Sequence, residues 1–173
     1  MFRIAVGFLI WLVVRAYVVI TRKPHCTFTD PETGEAYLTR WWLGARDAWP
    51  DPEGRTGVEG NYLHFFHRSD WSRNLHNHPS AFGAALILRG GYIETRSDDG
   101  GDIRSIARYP GDVNVITSGT FHRVELMNER GGSWSLFHIG PRSGKGWGFI
   151  QSDGTIERAA HTDGRTGKTT ART

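Results

Sequence analysis

Asn74-Leu75-His76-Asn77-His78-Pro79 places two histidines at i and i+2. In an extended segment successive side chains alternate between faces, so His76 and His78 point the same way. Two imidazoles side by side on one pleated face are half of a metal site. Imidazole suits zinc, iron, nickel and copper, and further ligands must come from elsewhere in the chain. Taken alone, the pair reads equally well as an exposed strand edge that happens to carry two histidines. The surrounding sequence decides between the two.

Downstream of Pro79 the chain breaks into short apolar or alternating runs at 86–88, 92–96, 103–108, 113–116, 121–127 and 133–139. Turn signals separate them: Arg89-Gly90-Gly91, the run Ser97-Asp98-Asp99-Gly100-Gly101-Asp102, Tyr109-Pro110-Gly111-Asp112, 117–120 and 128–132. Upstream, 37–43 and 61–67 are rich in aromatic and β-compatible residues, and a last hairpin is expected over 149–159 around Asp153-Gly154. Short strands at this spacing describe an all-β sandwich or barrel. Residues 48–60, with Pro50, Pro52, Gly54, Gly57 and Gly60, read as a surface loop. The length of 173 residues suits one domain with one sizeable core.

The net charge of +3 is carried by the ends of the chain. Arg3, Arg15, Arg22 and Lys23 lie before residue 25; Arg165, Lys168 and Arg172, against Asp163, lie after residue 160. Removing the four positive charges of one end and the net two of the other leaves 25–160 at −3. A mildly acidic body offers no basic groove for a phosphate backbone, so nucleic acid is excluded as the main partner. The single cysteine, Cys26, excludes an internal disulfide framework.

Residues 4–20 are apolar except for Arg15. Three readings fit. A signal peptide would have only a poor cleavage site at Ala16-Tyr17-Val18. A membrane helix of this length reaches about 25 Å, with Arg15 snorkelling and Arg22-Lys23 on the cytoplasmic side. The third is a helix packed on the domain. The chain thus divides into an apolar N-terminal helix over 1–24, packed or membrane-associated, a β-barrel over 25–160, and a polar, disordered tail over 161–173.

The second piece of the site is Gly119-Thr120-Phe121-His122. His122 begins a strand in which Val124 and Leu126 share its face, while Arg123 and Glu125 share the other. An inward histidine with apolar neighbours after a glycine turn has the character of a buried ligand. Glu125 points away from it and reads as solvated surface.

With both pieces in place, the chain resembles the cupins. His76-x-His78 followed by Gly90 resembles the first cupin motif, and Gly111-x5-Thr117-x-Gly119-x2-His122 resembles the second, with Thr117 in place of the usual Pro and Leu126 in place of the usual Asn. The resemblance covers residues 62–140 and implies a cupin-type double-stranded β-helix, or jelly-roll barrel, with His76, His78 and His122 as metal ligands. The usual Glu ligand falls at Phe82 or Gly83, neither of which can coordinate, so three imidazoles with open positions remain. Among cupins this resembles the thiol dioxygenases, which use Fe(II) with substrate and O2 at the open positions. That resemblance implies Fe(II) as cofactor, with Zn, Ni or Mn as alternatives. It also implies His138, in Ser135-Leu136-Phe137-His138, as an auxiliary catalytic residue. Arg73 or Arg68 would be the anchor for a substrate carboxylate. The Tyr expected two residues after that histidine is Gly140 here. The wider pattern is also similar to small phage and bacterial cupins described as cysteine-dioxygenase-like.

Further residues stay open at this level. His138 shares a face with Trp134 and Leu136 and is either a core histidine or a group beside the metal; His64 lines the cavity if its face is inward, and His67 lies on the opposite face. Asn114 reads as a backbone-bonding residue and Trp41, Trp42, Trp134 and Trp147 as packing. The expected function is an Fe(II) dioxygenase on a small, thiol-like substrate, or a cupin that binds a small ligand or a protein without turnover; a sugar-nucleotide isomerase using a histidine base ranks last. The expected partner is a small molecule, with membrane contact through 4–20 and a homodimer as further expectations. The expected location is the cytoplasm, with 4–20 as the one segment able to hold the protein to a membrane.

Overall fold

Two faces of one sheet organise the molecule, and the alternation of side chains along its strands assigns each residue to one of them. The computed structural model describes residues 2–21, 26–30, 32–43, 59–70, 74–143, 145–150 and 155–158. One helix, α1 (Phe2–Thr21), precedes eleven strands: β1 (Cys26–Thr29), β2 (Ala36–Trp42), β3 (Gly60–Phe66), β4 (Phe82–Arg89), β5 (Tyr92–Asp98), β6 (Arg104–Arg108), β7 (Val113–Thr117), β8 (Thr120–Leu126), β9 (Ser133–Ile139), β10 (Gly148–Ile150) and β11 (Ile156–Arg158). A six-stranded antiparallel sheet in the order β1-β2-β3-β9-β4-β7 faces a three-stranded sheet in the order β6-β5-β8, with β10-β11 as a separate hairpin. The all-β reading holds.

On the inner face Phe66, Ala85, Ile87 and Phe137 of the large sheet meet Tyr92, Val124 and Leu126 of the small one. On the outer face Trp41, Leu63, Leu88 and Trp134 form a second cluster with Trp11 and Val18 of α1. The strand pairing makes this separation inevitable. Trp41 stands opposite Leu63 and Arg40 opposite His64, so neighbouring residues of β2 and β3 go to opposite sides together. The N-terminal segment is therefore a helix packed on the domain, its indole at Trp11 edge-on to Trp134 with ring centroids 6.1 Å apart. Among the described residues no helix is long and apolar enough to cross a membrane.

The structure departs from the expected elements in three places. β1 pairs with β2, yet its four residues are too few to show a period. β4 begins at Phe82, because the small residues Gly83, Ala84 and Ala85 are what permits close approach to β9. A side chain at Gly83 would strike Phe137, whose Cζ lies 2.8 Å from the place of a Cβ. His76 belongs to no strand; it makes isolated bridges to His122 and Phe149. Between β4 and β5, Gly90 takes φ +80° with the Gly132 carbonyl 2.3 Å from where a Cβ would stand, so only glycine fits that turn. The expected tail over 161–173, the loop 48–58, Arg22-Lys23 and Asp153-Gly154 lie outside the described residues.

Candidate metal centre

Backbone pairing brings the histidines together. The His76 amide donates to the His122 carbonyl at 2.9 Å, and the His122 amide returns a bond to the His76 carbonyl at 2.8 Å. Residues so paired stand directly opposite, with side chains on the same face. His78, two residues on, falls on that face as well. The three rings form a near-equilateral set with centroids 5.2, 5.1 and 5.1 Å apart. Nε2 of His78 is 2.9 Å from Nε2 of His122, and one nitrogen from each of the three rings falls within a 4.8 Å cluster that could hold a metal ion.

Asn77, between the two histidines, points the other way and fixes the segment. It is buried; its Nδ2 donates to the carbonyls of Ser118 at 3.3 Å and Gly146 at 3.4 Å, and its Oδ1 accepts from the Gly148 amide at 2.8 Å. The turn before β8 and the loop before β10 are thereby tied to the histidine segment.

Behind the rings stand two carboxylates. Glu94 on β5 is fully buried, and its Oε1 lies 2.9 Å from Nδ1 of His122. That contact places the proton on Nδ1 and leaves the Nε2 lone pair for a metal, the usual arrangement of a ligating histidine and its carboxylate partner. Glu94 is itself held by Arg108 at 2.8 Å, by Arg96 at 3.4 Å and by the Asn114 amide at 2.8 Å. Burial would raise its pKa, but the bonds from His122, Asn114 and Arg108 outweigh that and hold it at about 2. Asp70 lies on the His76 side but beyond hydrogen-bond reach, its Oδ2 3.9 Å from Nδ1. The amide of Val124 donates to the same Asp70 oxygen at 2.7 Å, and the Tyr37 hydroxyl donates to Oδ1.

Burial draws the His76 pKa down to about 4 and that of His78 well below the ordinary histidine range, and neighbouring imidazoles add to the effect. Both rings are therefore neutral at pH 7, the state in which imidazole ligates. Three imidazole nitrogen donors suit a borderline transition metal better than calcium or magnesium.

The expected carboxylate ligand has no room. Gly83 faces inward, and the Phe137 ring fills the space a side chain there would need. Phe137 in turn stacks on His64, centroids 4.8 Å apart. His64 accepts a hydrogen bond at Nε2 from Nε of Arg40 at 3.0 Å. The Arg40 guanidinium lies between the rings of Phe28 and Tyr62, 5.1 and 4.9 Å from their centroids. Among the described residues no carboxylate pairs with Arg40, whose charge reaches His78. One wall of the site is therefore cationic.

The sequence-derived candidates divide accordingly. His76, His78 and His122 come together, and His64 joins them on the inner face. His138 does not: it stands opposite Ala84 and Asn61 on the outer face, stacked on Phe82 with centroids 5.6 Å apart and bonded from Nδ1 to Asn61 at 3.0 Å. Arg68 is engaged with Glu35 and Asp30. Arg73 lies outside the described residues. Glu125 pairs with Arg123 at 2.9 Å, away from the site as expected. Glu94, Asp70, Asn77 and Arg40 were missed by the motif reading. The signal for Glu94 was a polar-apolar alternation, Tyr92, Glu94 and Arg96 against Ile93 and Thr95, whose inward side is the charged one.

Two motif segments, His76-x-His78 and Gly119-x2-His122, have thus met between facing antiparallel sheets with their imidazoles converging. This is the arrangement that the resemblance to the cupins implies. No protein-family model and no curated protein matches the chain. Among solved structures it is similar to the capsular polysaccharide assembling protein CapF of Staphylococcus aureus, with 13% identity, TM-score 0.39, and coverage of 48% of this chain and 23% of that one. An oxalate oxidase bound to the substrate analogue glycolate gives 17% identity, TM-score 0.41, and coverage of 54% and 49%. KdgF from Halomonas sp. gives 17% identity, TM-score 0.39, and coverage of 66% and 86%. The chain thus spans less than half the length of the first two. Likenesses this remote leave the functional reading to the residues themselves.

Proposed function

We propose that this cupin holds a single Fe(II) on His76, His78 and His122 and acts as a mononuclear oxygenase on a small, anionic, thiol-like substrate. One observation carries the reading: three imidazoles converge, with a carboxylate bonded behind His122, while Gly83, where the resemblance to the cupins would put a carboxylate ligand, has its side-chain space taken by Phe137. A three-nitrogen set leaves several positions of the ion open to exchangeable ligands. When bound, Fe(II) supplies the redox chemistry that lets O2 react with a coordinated substrate.

The chain's own residues do the rest. Glu94 orients the His122 ring, and the inner apolar cluster of Tyr92, Val124 and Leu126 limits water from one side. Arg40, lacking a carboxylate partner among the described residues, offers its charge to an anionic group of the substrate, with His64 holding its orientation. Both the ion and Arg40 are cationic, which favours a ligand carrying two negative groups over a neutral one.

Iron analysis combined with O2 uptake on a panel of small thiols, with and without a carboxylate, tests the reading. Stoichiometric Fe(II) with O2 consumption that requires a carboxylate-bearing thiol supports it. Stoichiometric iron without O2 consumption on any thiol sinks the oxygenase. A second reading, a cupin that binds a small ligand or a protein without turnover, is favoured by the outward position of His138, which removes the auxiliary histidine from the site. Zn, Ni or Mn in place of iron, with ligand binding intact, is the outcome that reading expects.

A further inference from the structure

α1 is apolar on both sides. Trp11 and Val18, 3% and 1% exposed, face the sheet. At about 100° per residue the opposite arc contains Ala5, Phe8, Leu9, Leu12, Val13 and Ala16, with no polar side chain. Phe8, Leu9, Leu12 and Val13 are 45%, 65%, 42% and 66% exposed. A helix lying on a soluble domain ordinarily turns charged residues outward, and one apolar all round is covered on every side. The only charged side chain described within α1 is Arg15, at the rim of the arc, its guanidinium carbon 5.1 Å from the centroid of Trp11 and 5.8 Å from that of Trp134. The sheet face beneath α1 continues to Val113 and Val115 of the edge strand β7, which are 58% and 50% exposed.

We propose that α1 lies along an anionic lipid surface, held between the sheet on one side and the headgroup region on the other. Charge selects the occupant. Residues 1–24 carry Arg3, Arg15, Arg22 and Lys23 and no acidic residue, whereas 25–160 has net charge −3. An anionic surface attracts the helical side of the molecule and repels the rest, so it orients as well as binds. A second copy docking helix to helix would set four positive charges against four more with no carboxylate on either helix to meet them. At 20 residues α1 offers about 30 Å of contact lying flat. This holds whether or not the histidines carry iron.

Cosedimentation of the full chain with vesicles of phosphatidylcholine alone, or mixed with phosphatidylglycerol, tests it. Binding is expected to the anionic vesicles at least about tenfold more strongly than to the neutral ones, and to weaken when salt is raised about tenfold. Leu9→Glu/Val13→Glu should lose at least about tenfold of that binding while keeping its circular dichroism melt; if that variant does not fold, Arg15→Glu and the salt series on the unmodified chain give the same reading. No binding to anionic vesicles, or binding indifferent to both charge and these substitutions, overturns the proposal. So does a lipid-free dimer in light scattering that the same substitutions dissociate, because a second copy then covers the arc. Retention of the chain in vesicles at high salt and alkaline pH overturns it too, as the mark of a spanning helix.

Discussion

The outer and inner faces of the six-stranded sheet are made by the same strands and do different work. Along β2, Trp41 goes out and Arg40 goes in; along β3, Leu63 out and His64 in; along β9, Trp134 out and Ser135 in. The outer residues pack against one another and against α1, with Trp134 stacked on Trp41 and Phe65 at centroid distances of 5.6 and 4.5 Å. Their contribution is area removed from water. The inner polar residues gain nothing from burial as such. Each is tolerated only because a partner meets it: His64 by the Arg40 guanidinium, and Glu94 of the facing sheet by two guanidiniums, an amide and an imidazole. A residue's side of the sheet therefore predicts what its loss will damage, stability alone on the outer face and both stability and ligation on the inner.

The sharpest break of this contrast is Trp134→Ala. Emptying the centre of the outer cluster should cost about 3–5 kcal/mol in urea unfolding. Metal stoichiometry below the melt should stay unchanged, and a lost metal site would mean the two faces are coupled. Glu94→Gln comes next, because it removes the charge that Arg96 and Arg108 share. Leaving those guanidiniums without it should cost about 3 kcal/mol and weaken metal affinity about 10–100-fold, read by calorimetric titration. An unchanged affinity would reduce Glu94 to a structural role.

Acid should act on the inner face first. His76 has a folded pKa of about 4, below the value of about 6.5 in an unfolded chain. Between those values the unfolded state binds the proton and the folded state does not, so stability is full above about pH 6.5 and falls as pH drops toward 4. For His76 alone the loss approaches about 3 kcal/mol at the bottom of that window, and His78 shifts the same way. Melts of metal-free protein at pH 7 and pH 5 should differ, and His76→Gln should reduce the difference. The smallest stability effect is expected at Arg40→Met, within about 1 kcal/mol of the parent, since it deletes a half-buried cation that has no carboxylate partner among the described residues. Its signature is instead weaker binding of small carboxylates to the metal-loaded protein.

Much of the site was legible because its parts are carried by local rules. The i, i+2 histidines and the glycine turn before His122 follow from strand alternation and turn chemistry, and of the eight strands expected by their period all but the one at β4 match their counterparts closely. What was not legible is which side of a strand faces in. β5 and β7 invert the ordinary pattern: Ile93, Val113 and Val115 are exposed while Glu94, Arg96 and Asn114 are buried. No binary reading of the sequence alone turns a glutamate inward past an isoleucine. It happens because the small sheet's inner face ends at His122, and Glu94 stands opposite Val124, two pairs along the ladder from Arg96–His122 and so on the same face. The outward place of His138 was illegible for the mirror reason. Its face was correctly shared with Trp134 and Leu136, but that face is the one α1 covers.

Titration of metal-free protein with Fe(II) under anaerobic conditions, followed by the same titration of His76→Ala, His78→Ala and His122→Ala, tests the central claim most directly. One equivalent bound by the parent chain, with affinity falling on the order of 100-fold or more in each variant, is the expected result. Absence of binding by a folded parent, or binding that survives loss of His122, would contradict a three-histidine centre.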